Sequence, residues 1–136
     1  MIVIDTGPLV AALNADDKDH ERCVRLLETH QGRLLVPAPV LTEVCWLLER
    51  EQGAQAEALF LEALARGELD LVAVTAGDLQ RMAELVRQYA DLPLGAVDAS
   101  VIAVAERLAV TEVATLDVRH FTVVRPAHVK ALTLLP

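Results

Sequence analysis

The chain begins on a run that leaves few ways to fold. Ile2, Val3 and Ile4 lead directly into Asp5, and Thr6-Gly7-Pro8 follows. A short, branched, wholly apolar run reads as a strand buried on both faces, which implies a parallel sheet with helices above and below it. Thr6 suits a helix N-cap, and Pro8 sits near the first helical position, where a missing N–H costs nothing. Asp5 is thereby placed at the carboxyl end of a central strand, beside a helix N-terminus. Ligands of open α/β sheets bind along that edge.

The rest of the chain alternates in the same manner. A second helix is predicted from residue 16 or 17 to about 30, with Val24 and Leu27 inward and Gly32 beyond its end. Residues 33–37 form a short strand. Pro39 opens a third helix with Val40, Val44, Leu47 and Leu48 on one face, and Glu43 shares that face. Residues 55–66 make a fourth helix, stopped by Gly67. Residues 69–74 read as a strand. A fifth helix starts after Gly77-Asp78, with Leu79, Met82, Val86 and Tyr89 on one side. Residues 97–105 are apolar nearly all round, hence a buried helix, and Asp98 lies at its head on a buried face. Residues 112–117 form a second strand ending on an acid, Asp117, and 122–126 read as a last strand before a short tail. Strands alternating with helices predict one α/β domain over residues 1–136, its parallel sheet covered on both faces.

An apolar content of 54% supplies a core without disulfides. Cys23 and Cys45 lack a C-x-x-C spacing and read as buried thiols. Among apolar runs, none reaches the ~18 residues of a membrane span, and no basic-flanked leader is present, so a cytoplasmic protein is expected. The net charge of −8 argues against passive, charge-driven binding of nucleic acid. It leaves open action on a phosphodiester through bound cations, which reverse the local field.

Most of the 20 acidic residues are explained by exposed helix faces. Asp5, Glu43, Asp98 and Asp117 are not. Two close central strands and two sit inward near helix starts, so all four can converge on one sheet edge. Two carboxylates ~4 Å apart repel by about 4 kcal/mol at an effective dielectric near 20. Such crowding needs a counter-charge, or some acids must take up protons. Arg119 is the cation closest in sequence, and the chain has only two lysines. A hard divalent ion, Mg²⁺ or Mn²⁺, is the natural partner of an oxygen-rich set. His20, His30, His120 and His128 show no zinc spacing, and His120 reads as a packed or exposed turn residue. Trp46 and Phe60, both in helices, read as core or subunit-contact residues.

Four motifs in order, Ile2-Val3-Ile4-Asp5-Thr6, Pro39-x-x-x-Glu43, Asp98-Ala99 and Thr115-x-Asp117-x-x-His120-Phe121, resemble those of the PIN-domain ribonucleases. The small single-domain form is similar to the VapC toxins of toxin–antitoxin pairs. The resemblance spans the chain. It implies a three-layer α/β/α sandwich with a parallel sheet of four or five strands. It also implies a metal-dependent endoribonuclease that hydrolyses RNA with metal-activated water and leaves 5′-phosphate and 3′-hydroxyl ends. Carried over by position, Asp5, Glu43, Asp98 and Asp117 are the catalytic and metal-binding acids, with Mg²⁺ or Mn²⁺ as cofactor. Thr6 and Thr115 match hydroxyl positions that orient a water or a carboxylate, and Asp91 matches a less constant acidic position. The resemblance further implies a homodimer and a cognate antitoxin whose tail fills the acidic pocket.

Rival readings fit less well. Asp5-Thr6-Gly7 also opens the aspartic-protease motif, but that needs two copies on an all-β frame. A phosphohydrolase nucleophile at Asp5 would want an acid where Gly7 stands. A receiver-type phospho-acceptor would want adjacent acids near the first strand. The rival from another class is a catalytically silent module that binds RNA or an antitoxin.

Overall fold

The protein, described over residues 1–136 by a computed structural model, is a three-layer α/β/α sandwich. Its strands are β1 (Ile2–Ile4), β2 (Leu34–Pro37), β3 (Asp70–Val72), β4 (Glu112–Ala114) and β5 (Thr133–Leu135). Seven helices connect them: α1 (Thr6–Ala12), α2 (His20–Thr29), α3 (Ala38–Gln52), α4 (Ala54–Ala65), α5 (Ala76–Gln88), α6 (Ala96–Arg107) and α7 (Val118–Val123). All strand pairs are parallel, in the order β3-β2-β1-β4-β5. The chain moves outward from β1 to β2 and β3, then returns across the sheet to β4 on the other side of β1. Strand order therefore reverses between β1 and β4, and such a reversal opens a crevice at the strands' carboxyl ends.

β1 is wholly buried between its neighbours, with Val3 opposite Val113 and Ile4 opposite Ala114. α6 buries Ala99 through Ala105 without interruption, as its all-round apolar pattern requires. Together with Val40, Val44 and Leu48 of α3 and Phe60 of α4, the apolar residues of that stretch belong to one continuous core. Cys23 is buried, Cys45 is half-buried and both are free. No helix is long and apolar enough to cross a membrane.

Several local expectations are corrected. Asp5, not Thr6, occupies the N-cap of α1, so Pro8 falls at the third helical position. α2 begins at His20, after turns held by the Asn14 and Asp17 side chains. Strands β2 and β3 are shorter than predicted. The buried face of α5 carries Asp78, Met82 and Leu85, while Leu79 and Val86 are exposed. The helix is phased by its own start: Thr75 and Asp78 form a capping box, and Arg107 of α6 grips the Asp78 carboxylate at 3.0 Å to both oxygens. Residues 122–126 are not a strand. Asp117 caps α7 by accepting the His120 N–H at 3.2 Å, and burial of Phe121 anchors that helix. The last strand is instead Thr133–Leu135, in the segment expected to be tail, paired with β4 at the sheet edge. Trp46 is not a core residue; it is 56% exposed, with the Arg50 guanidinium 4.8 Å from its ring centroid.

Candidate active site

β1 and β4 deliver the first two groups. Asp5 follows β1 and is held in line by its N–H bonding to the Ala114 carbonyl at 2.9 Å. Thr115 follows β4, and its hydroxyl donates to Asp5 Oδ2 at 2.8 Å. The same hydroxyl oxygen accepts the Asp117 N–H at 2.9 Å. One buried threonine thus orients the Asp5 carboxylate and fixes the turn that carries Asp117. Asp5 itself is 6% exposed.

α3 and α6 deliver the other acids. Glu43 lies in the second turn of α3, half-buried on the inward side. Asp98 lies in the first turn of α6, where Gly95 is the N-cap and no side chain caps the helix. Asp98 is therefore free of the capping role that would have been its simplest explanation. Burial pushes the Asp5 carboxyl up to about 6. The Thr6 backbone N–H and the Thr115 hydroxyl pull it back, whereas the negative charges of Asp98 and Glu43 push it further up. Asp5, Glu43 and Asp98 are thus close enough to feel one another's charge.

Asp117 joins through His120. The imidazole Nδ1 lies 2.6 Å from Asp98 Oδ2 and 3.1 Å from Asp117 Oδ2. Ligand atoms of Asp98, Asp117 and His120 all lie within 4.8 Å of one another. His120 is the residue that its sequence context undersold. The signal was its spacing from Asp117: three residues, one turn of a helix, put both side chains on one face. Arg119, the cation nearest in sequence, is exposed and forms no ion pair with the four acids. Asp91 is exposed in the turn between α5 and α6 and forms no hydrogen bond to the others. Thr6 is buried beside Asp5 with its hydroxyl oxygen lacking any hydrogen-bond partner. An open groove of about 510 Å³, bordered by Pro39, Thr42, Glu43, Trp46 and Val97, leads along α3 from this cluster. A smaller apolar cavity of about 290 Å³, lined by residues such as Leu13, Val24 and Phe60, contains none of the four acids.

The arrangement joins Asp5 to Asp98 and Glu43 through their charges, Asp98 to Asp117 through the His120 imidazole, and Asp5 to the buried Thr115 hydroxyl. A set so rich in carboxylate oxygen is of the donor type that suits a hard divalent cation. The sequence comparisons agree with the architecture. The model of the PIN-domain family matches residues 2–125. Ribonuclease VapC26 of Mycobacterium tuberculosis is 30% identical over 135 residues, 99% of this chain and 100% of the relative. The solved structure of VapC20 from Mycobacterium tuberculosis, a Sarcin-Ricin loop cleaving toxin, superposes with a TM-score of 0.78 at 24% identity, covering 83% of this chain and 87% of that one. A toxin–antitoxin complex from Klebsiella pneumoniae superposes with a TM-score of 0.67 at 18% identity, covering 95% and 100%. With a family match over nearly its whole length, and acids gathered where the sheet order reverses, this chain belongs to the PIN-domain family.

Proposed function

We propose that the chain is an endoribonuclease, the toxin of a VapBC-type pair, acting in the cytoplasm with a divalent ion held by Asp5, Glu43, Asp98 and Asp117. The full-length relative named as a ribonuclease supports the activity. The observation that carries the metal-dependent part is Asp5. A carboxyl at the mouth of a buried strand, feeling two further acids, is held in place by Thr115 rather than neutralised by a lysine or arginine. The donor set fits Mg²⁺ or Mn²⁺ in type, being mostly carboxylate oxygen. The unpartnered Thr6 hydroxyl supports the fit, because a buried polar atom needs a partner that the protein does not supply. When bound, the ion supplies positive charge to a phosphodiester and activates water. The chain's own residues hold and orient. Asp5, Glu43, Asp98 and Asp117 form the seat, Thr115 sets the rotation of Asp5, and the groove beside Glu43 gives RNA a path to it.

The partners follow from charge and kinship. A chain of net charge −8 with an acidic notch suits a basic peptide segment, so the antitoxin would present an arginine or lysine to it. The working unit would be a homodimer, which sedimentation or light scattering checks directly.

The test uses mixed RNA with Mg²⁺ or Mn²⁺, then EDTA, on the wild type and on Asp5→Asn. Expected are cleavage products with 5′-phosphate and 3′-hydroxyl ends, lost on chelation and on substitution. Undiminished cutting by Asp5→Asn overturns the mechanism, and no cutting under any metal makes the protein a binding module.

A further inference from the structure

We propose that Trp46 and Arg50 of α3 form a stacking platform for one unpaired base of RNA, next to the phosphodiester that is cut. The inference rests on the endoribonuclease reading above and adds the groups that hold the strand beside the acids.

α3 lays three side chains in one row. Glu43, Trp46 and Arg50 stand at i, i+3 and i+7, one face of a helix. At about 1.5 Å per residue, Trp46 lies about 4.5 Å and Arg50 about 10.5 Å further along the axis than Glu43. Helical side chains lean toward the N-terminus of their helix. The indole therefore reaches back over the turn of Thr42 and Glu43, and these three residues border the same groove of about 510 Å³. Pro39 in the first turn of α3 and Val97 of α6, next to Asp98 in sequence, complete the border. A strand lying in this groove meets Glu43 at one point and Trp46 at the next.

The surroundings of Trp46 suit a flat, charged ligand. The residue is 56% exposed, and no other large apolar side chain of α3 is exposed. Thr42, Glu49 and Arg50 around it are exposed and polar. A second copy of the chain seated here would want an apolar patch with charges kept to its rim. A lone indole beside a guanidinium offers a π face and a positive charge, the pair on which single-stranded nucleic acid stacks. The Arg50 guanidinium lies 4.8 Å from the indole centroid. Carboxylates take up Arg22, Arg33, Arg66, Arg81 and Arg107, but none takes up Arg50. A cation left unpaired on a chain of net charge −8 is available to a phosphate. Its contact with the indole holds it over the platform. Base and phosphate are gripped one and two helical turns from Glu43, while the acids receive the bond to be cut. Every base has a π face, so the platform selects an unpaired nucleotide without reading its identity.

Trp46 is the sole tryptophan, so its emission reports on the platform without a label. The wild type is mixed with short single-stranded oligoribonucleotides in Mg²⁺ in a stopped-flow cell, which reads binding ahead of cleavage. Oligoadenylate and oligouridylate should both quench the emission, and an abasic oligomer with the same phosphates should not. This reading needs no substitution, so it stands even if a variant fails to fold. Trp46→Ala should raise KM for an RNA that the wild type cuts by about five- to a hundredfold, more than it lowers kcat. Trp46→Phe, which keeps a ring, should recover most of that loss. Arg50→Gln should lower the slope of log KM against log salt by about 0.7, the share of one phosphate contact on a single strand. In the free protein, acrylamide should quench the emission equally at every protein concentration. Emission shielded from acrylamide and released on dilution would seat a second copy on Trp46 and overturn the proposal. So would emission unchanged by RNA, equal quenching by the abasic oligomer, or a wild-type KM in Trp46→Ala. Cleavage together with any of those results removes the platform and leaves the nuclease. Base-dependent quenching without cleavage keeps the platform and removes the nuclease.

Discussion

Asp5 is the residue on which most depends. Its carboxyl is raised by burial to about 6, against 3.8 in the unfolded chain. A raised acid costs the folded state stability when ionised. The cost is absent below the unfolded value and fully present above about 6, so the metal-free protein loses stability through this group as pH rises from 4 to 7. Two pKa units correspond to about 3 kcal/mol, an upper bound for this one residue. Asp5→Asn keeps an acceptor for the Thr115 hydroxyl and removes the charge. Metal-free Asp5→Asn should therefore melt higher than the wild type at pH 7.5, and the gap should close near pH 4 in thermal melts. Catalysis should move the other way with pH. Protons compete with the ion for the carboxylates, so cleavage at limiting Mg²⁺ should fall as pH drops through 6 and recover with added metal. Thr115→Val strips the donor from Asp5 and leaves the Asp117 N–H without its acceptor. A lost buried hydrogen bond costs roughly 1–3 kcal/mol. The expected result is a drop of about tenfold or more in cleavage rate, in a protein whose circular dichroism is unchanged.

At the scale of elements, helix ends decide what the strands can present. α5 is tied to α6 through Asp78 and Arg107 and through Arg81 and Glu106, and α6 in turn carries Asp98. Burial alone would raise the Asp78 carboxyl, but the Arg107 guanidinium and the Thr75 backbone N–H more than reverse this and hold it below its ordinary value. Its stabilising share is present above the ordinary carboxylate range and disappears as pH falls through the lowered value. Arg107→Met leaves Asp78 buried without its partner, which should cost about 2–3 kcal/mol at pH 7 by urea unfolding, with the deficit shrinking toward pH 3. Elements also divide what could be read from the chain. β1 and α6 were legible because an unbroken apolar pattern admits few placements. Glu43 and Asp98 stood out because an acid on an inward face needs a reason. The phase of α5 was hidden, since Asp78 is buried by an arginine 29 residues away. Thr122-Val123-Val124 has strand-like composition, yet the Asp117 cap and the burial of Phe121 draw Val118–Val123 into a helix. The true last strand gains its pairing from β4, a contact that local composition does not record. His120 was obscured for the same reason: its importance lies in Asp98, 22 residues earlier.

For the whole molecule, the sheet order explains why distant acids meet. Reversal between β1 and β4 brings Asp5 and Thr115 side by side, α3 and α6 lean Glu43 and Asp98 toward them, and α7 closes the notch with Asp117 and His120. A protein of net charge −8 gathers these acids there at a cost that a dication, on the proposed reading, would offset. Divalent metal should consequently stabilise the fold by mass action, about 2.7 kcal/mol at a hundredfold excess over Kd, and Asp5→Asn should lose most of that gain. The measurement that bears most directly on this account is the anomalous difference map of crystals soaked in Mn²⁺. A peak within bonding distance of Asp5 and Asp98 carboxylate oxygens is the predicted result. A map with no peak there under saturating Mn²⁺, or with the ion bound elsewhere and Asp5 untouched, would contradict it.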